Sequence, residues 1–298
     1  MRRSFAVLCA VVLLRWAVAG TLSGSLVFVS VRGGNWHLFR WSGDGTPVQL
    51  TATRLDARTP SISFDSSRLA YTTADGSLWL MDLRSNTPQM LGARFSKGSY
   101  GNPTWIRPNE LAYSIYAVTA PNEDSDIYSY SFDNNKQSAL VRQTGSQDFP
   151  AGSLNGDRIA YMSSVTTTVV GLGTTITQQL WVADLRTGKV EQLTVGGYRD
   201  THPSWSPDAK TIAFSSDRDG QPEIWTIDLA TRKLTKLTSG KGDKTNPCWS
   251  PDGKQILYVT TATGKRSLEL IEVATTQIKP LKPFGDKDIE IRDPAWGR

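Results

Sequence analysis

The sequence predicts an all-β protein: a six-bladed β-propeller of four-stranded antiparallel blades, with blade 1 closed by the C-terminal strand. Three observations carry this. The triplet Pro-x-Trp recurs at Pro103-Thr104-Trp105, Pro203-Ser204-Trp205, Pro247-Cys248-Trp249 and Pro294-Ala295-Trp296, with degenerate copies at Pro60-Ser61-Ile62 and Pro150-Ala151-Gly152. The six prolines lie 43, 47, 53, 44 and 47 residues apart, the period of a propeller blade. Between them apolar and polar residues alternate with a period of two, and helical periodicity is confined to the extreme N-terminus.

Each repeat can be divided in order. The innermost strand ends near the Trp, and a tight turn follows, best seen at Ser206-Pro207-Asp208-Ala209-Lys210. Its Pro pre-sets φ and its Asp bonds the nearby backbone. The second strand is centred on Leu69–Tyr71, Leu111–Tyr113, Ile159–Tyr161, Ile212–Phe214 and Ile256–Tyr258. The third carries Leu78-Trp79, Ile127-Tyr128, Leu180-Trp181 and Ile224-Trp225, and the fourth is short and ends at Leu193-Thr194 or Leu237-Thr238. The first repeat starts at a second-type strand, Ser25–Val29, followed by Trp36–Trp41 and Val48–Thr51, with no innermost strand before them. Ile291–Trp296 supplies that strand from the other end, which leaves no open sheet edge in blade 1.

The first 19 residues read as a signal peptide, with Arg2 and Arg3 before a short apolar run and Ala17-Val18-Ala19 as the cleavage site. An uncleaved anchor and a twin-arginine signal are the alternatives. The apolar run is too short to span a bilayer, so no stable membrane span is expected after cleavage. The leader holds three of the arginines, so the formal charge of +5 falls to +2 without it. No basic run remains for nucleic acid. Cys9 leaves with the leader, and Cys248 stays as a single thiol with no disulfide partner. Residues 20–298 are used up by six blades, and a monomer is expected.

The pattern P-x-W-S-P-D-[G/A]-K-x-I-[A/L]-[F/Y], followed by Ile224-Trp225 and Asp228-Leu229, resembles the repeat of the TolB-type six-bladed β-propeller. The match is strongest at Tyr198–Thr238 and Asn246–Tyr258 and extends over about residues 25–298. That family carries an α/β domain before its propeller, for which this sequence leaves no room. The resemblance implies a periplasmic or secreted envelope protein that binds an extended segment of a protein partner at the channel mouth. In that family the partners are a peptidoglycan-associated lipoprotein and other Tol components. The mouth positions onto which this carries over are Arg58, Asn102, Asp148, Arg199, Asp200, His202, Asn246, Arg292 and Asp293, all just before a repeat proline.

Read from the residues alone, this mouth carries both charge signs and amides. It suits a peptide or polar ligand, and equally a solvated rim whose charges pair with one another. His202 beside Asp200 is either a general base or a hydrogen-bonded lining residue. The alternative function is therefore an enzyme acting on a polar small molecule or carbohydrate, with Asp148, Asp200 and His202 as its acid, base or metal groups. A third reading is an architectural envelope component. Two histidines far apart in sequence do not make a multi-His metal site, and G-x-S-x-G, P-loop and G-x-G-x-x-G motifs are missing, so no cofactor is expected. His37 is expected to face solvent on an outer strand. Val118–Asp126 is read as an enlarged acidic loop, and Val165–Thr177 as a protruding, uncharged hairpin for a partner.

Overall fold

The computed structural model describes residues 22–92, 98–119, 122–169, 173–287 and 289–297. The expected leader, residues 1–19, lies outside them. The described chain forms six four-stranded antiparallel sheets, five of them simple meanders, and no helix occurs among the described residues. Blades 2 to 6 have as their innermost strands Ala57–Ile62, Gly98–Arg107, Gln147–Gly152, Asp200–Trp205 and Lys244–Trp249. In blade 1 the C-terminal strand Ile291–Gly297 pairs with Ser25–Arg32, setting Leu26 opposite Trp296 and Ser25 opposite Gly297. The Trp296 Nε1–H donates to the Ser23 carbonyl at 2.9 Å, so the two ends of the chain hold one sheet.

The repeated residues have repeated duties. In the basal turn the Ser206 hydroxyl donates to Asp208 at 2.6 Å, and the backbone N–H groups of Lys210 and Thr211 donate to Asp208 and Ser206. Ser250–Asp252 and Ser63–Asp65 repeat this arrangement. Two of the blade tryptophans tie neighbouring blades together. Trp105 donates to the Ser61 carbonyl and Trp205 to the Ala151 carbonyl, each one blade back. Arg68 lies 4.5 Å above the Trp105 ring and Arg158 lies 4.8 Å above that of Trp205. The Leu-Thr ends of the fourth strands also have a cause. Thr51, Thr194 and Thr238 accept, through their hydroxyls, the N–H groups of Leu38, Leu180 and Ile224, taking the place of a backbone acceptor in the ladder. Core residues lie between facing blades, as where Leu180 and Val182 of blade 4 meet Trp205, Ile212 and Phe214 of blade 5.

Three local expectations change or gain detail. His37 is buried, 7% exposed, because Asn35–Trp41 is an interior strand of blade 1 and its register sets His37 opposite Ser30. Val118–Asp126 is mostly paired strand: Glu110–Thr119 and Asn122–Ser131 form a long hairpin, with 120–121 outside the described residues. The uncharged segment of blade 4 is a hairpin, with Val165 opposite Thr177 and Val169 opposite Gly173.

Candidate functional site: the channel mouth

Every innermost strand breaks register at the residue before its repeat proline. Between Arg58 and Ser61, Gly101 and Thr104, Asp148 and Ala151, Thr201 and Ser204, and Thr245 and Cys248, it carries one residue more than its partner. Blade 1 has the same step opposite Val27 and Val29. The residues at the step are Thr59, Asn102, Phe149, His202, Asn246 and Asp293, with φ of 45°, 47°, 50°, 52°, 53° and 48°. None is glycine. A left-handed conformation costs an L-residue about 1 kcal/mol, and a following proline normally favours an extended one. Six copies persist because the sheets on either side fix them. Each bulge turns its side chain out of the pleat, and the six side chains line one space of about 130 Å³. The six repeat prolines form a waist beneath it. Beyond lies a basal cavity of about 290 Å³, walled in part by the small residues Ser61, Thr104, Ala151, Ser204, Cys248 and Ala295.

The ring is chemically uneven. On one side the His202 imidazole packs against the Phe149 ring at 3.9 Å between centroids, the two planes tilted by 37°, and its Nδ1 lies 3.0 Å from the Thr201 hydroxyl. Burial pushes His202 down to about 4, so the ring is neutral near pH 7. On the other side the Asp293 carboxylate has only long contacts among the described residues. Asn246 Nδ2 and the Thr59 N–H each lie at 3.4 Å, and Arg292 Nε at 3.7 Å. Burial raises the Asp293 pKa, against the pull of Arg292. Asn102 donates to Asp148 at 2.8 Å and to the Tyr116 hydroxyl at 2.9 Å.

Of the nine positions expected at the mouth, Asn102, His202, Asn246 and Asp293 share this ring. Asp148 is buried beside it and accepts from Asn102, Ser114, Tyr116 and its own neighbour's N–H, that of Phe149. Asp200 is buried and receives Arg218 Nη2 at 2.9 and 3.0 Å on its two oxygens, while Arg218 lies 4.9 Å above Trp225. Position explains this. The residue two before each ring member turns into the sheet, where blade 6 has Lys244, paired with buried Glu223 at 3.2 Å. Arg58 and Arg199 are exposed on the rim, Arg199 lying 3.9 Å from Asp217. Arg292 lies 4.2 Å from the Trp36 ring. The nine positions leave out Thr59 and Phe149, which end the four-residue stretches before Pro60 and Pro150 and line the ring.

Among the described residues, no three His, Cys, Asp or Glu side chains gather in a way that could hold a metal ion. Cys248 lines the basal cavity, where burial raises its thiol to about 12.

These features define a six-bladed β-propeller with a polar axial mouth. Residues 160–295 match the family model described as the TolB beta propeller domain. A stretch of 141 residues, 47% of this chain, is 29% identical to the Protein TolB homolog of Chlorobium luteolum and covers 31% of that protein. A stretch of 82 residues, 28% of this chain, is 38% identical to the uncharacterized peptidase YuxL of Bacillus subtilis and covers 11% of it. The match thus spans less than a third of the length of either curated relative. The crystal structure of TolB from Acinetobacter baumannii superposes with a TM-score of 0.74 at 19% identity, over 94% of this chain and 68% of that one. The described chain is a six-bladed β-propeller, and over its second half it is similar to the TolB beta propeller domain.

Proposed function

We propose that the propeller is a non-enzymatic binding module of the cell envelope, periplasmic or secreted, which receives an extended segment of a protein partner at its channel mouth. The observation that carries this is the ring of six bulged residues. One strained backbone geometry is repeated six times, yet it presents two amides, a hydroxyl, a carboxyl, an imidazole and a phenyl ring to one axial space. Amides and hydroxyls around a concave opening match the donors and acceptors of a peptide backbone, and the tilted Phe149–His202 ring pair offers one apolar wall. The acid–base alternative loses two of its three groups to internal bonds. Asp148 and Asp200 are engaged by Ser114, Tyr116 and Arg218, and His202 is neutral and packed against Phe149.

The test is affinity capture from the native envelope fraction with the propeller and with a Phe149→Ala/His202→Ala variant of unchanged circular dichroism. The variant should lose specific partners that the parent retains. Identical partner lists for the two proteins would reject the mouth as the binding site.

A further inference from the structure

One corner of the mouth has a feature the ring does not explain. The Arg292 guanidinium lies 4.2 Å from the Trp36 ring centroid, which limits its freedom. Its Nε and Nη2, the edge with which an arginine grips both oxygens of a carboxylate, are buried and without a hydrogen-bond partner. No other charged side chain among the described residues leaves buried atoms unbonded in this way.

The neighbouring acids do not meet this need. Asp293 Oδ2 is 3.7 Å from Nε, beyond hydrogen-bonding distance. Asp56 Oδ1 already accepts the Trp36 N–H at 2.9 Å, and Glu290 Oε1 lies 3.5 Å from the backbone N–H of Arg266. Two more guanidiniums sit close by. Burial first, and then repulsion from Arg58 and Arg266, lowers the Arg292 pKa against the attraction of Asp293 and Asp56. Arg58 and Arg266 are exposed. A buried donor without an acceptor is a desolvation cost that the protein itself does not offset, and repulsion from Arg58 and Arg266 adds to it. An anion removes both.

We propose that Arg292, Arg58 and Arg266 form a carboxylate-binding subsite at the blade 1 side of the mouth, which takes the C-terminal carboxylate or an acidic side chain of the segment that enters there. The incoming group meets the exposed heads of Arg58 and Arg266 and draws Arg292 from its loose contact with Asp293, so that the Nε–Nη2 edge turns towards it. The subsite rests on the peptide-binding reading above and adds a polarity to it, because the acidic group of the segment lies over blade 1 and its neighbours cross the ring.

Three peptides at fixed ionic strength test it by titration calorimetry: acetyl-Gly-Ser-Gly-Ser with a free C-terminus, the same peptide as its amide, and acetyl-Gly-Ser-Asp-Gly-Ser amide. The free acid or the aspartyl amide should bind about tenfold or more tighter than the uncharged amide, the worth of a charge-assisted hydrogen bond. Which of the two binds identifies the source of the carboxylate. Arg292→Gln should abolish the preference, and Arg292→Lys should restore it only in part, because an ammonium lacks the two-pronged edge. Arg292 lies in the closing strand, so Arg58→Gln/Arg266→Gln, which alters only exposed heads, gives an independent reading and should weaken the preference. Equal affinity for all three peptides, no binding of any, or a preference unchanged in both variants would overturn the subsite. Partner capture that is lost in Phe149→Ala/His202→Ala but intact in Arg292→Gln would sink the subsite and leave the mouth reading standing.

Discussion

The two ends of the channel are built from the same six strands and differ in what they repeat. At the base the side chains recur. Small residues surround the cavity, the Ser-x-Asp turn returns with the same hydrogen bonds, and Trp105 and Trp205 both bond one blade back. At the mouth only the backbone recurs, with φ between 45° and 53° at six different residues. Repetition of side chains serves packing, which each blade needs equally. Repetition of backbone with varied side chains makes a rigid frame whose surface can be matched to one ligand.

This contrast can be broken first at the base. Truncation after Lys287 removes the closing strand and should produce the largest effect, loss of a cooperative unfolding transition together with aggregation, read by calorimetry and light scattering. It strips Ser25–Arg32 of a partner and opens a sheet edge. A truncated protein that unfolds as one unit and stays soluble would refute the ring. Next, Trp205→Ala should cost about 3–5 kcal/mol in urea unfolding. It empties a core position and also deletes the contact with Arg158 and the bond to the Ala151 carbonyl. Phe149→Ala at the mouth should cost well under half of that, and its main effect should be on capture.

The pH dependence sharpens the same contrast. His202 has its folded pKa near 4, below the value of about 6.5 expected in the unfolded chain. Between these values the unfolded state binds more protons, so stability should fall as pH drops from about 6.5 towards 4, by roughly 2 kcal/mol. His202→Asn, which tolerates the left-handed backbone, should flatten this slope in urea titrations at pH 7 and 4.5. An unchanged slope would show that the imidazole is hydrated. The smallest effect belongs to a turn. Thr276 has φ of 55°, where other blades have Asn86, Asn135 or Gly188 with similar φ. Thr276→Gly should raise stability by about 0.5–1 kcal/mol, seen as a higher melting temperature.

Much of the fold could be read locally. Pro-x-Trp, the turn residues and the Leu-Thr ends each reflect a need met within a few residues or by the adjacent strand. The same is true of the blade 4 hairpin, where β-branched residues on either side of a Gly-Leu-Gly centre sufficed. The mouth was legible only in part. A plain two-residue alternation brings Arg58 and Asp148 to the axis, whereas the bulge adds one residue and places Thr59 and Phe149 there. Asp200 and Arg199 were adjacent candidates in the sequence. Their fates separated because one side chain enters the sheet to meet Arg218 and the other leaves it towards Asp217.

The sequence by itself determined the number of blades, their strand order and the closure of blade 1, because periodicity and turn chemistry act over short distances along the chain. Tertiary structure alone decided which residue of each strand reaches the axis and which charges are already spent. Those outcomes depend on six strands converging from positions more than 40 residues apart, and on partners such as Arg218, Tyr116 and Trp36 that no spacing announces.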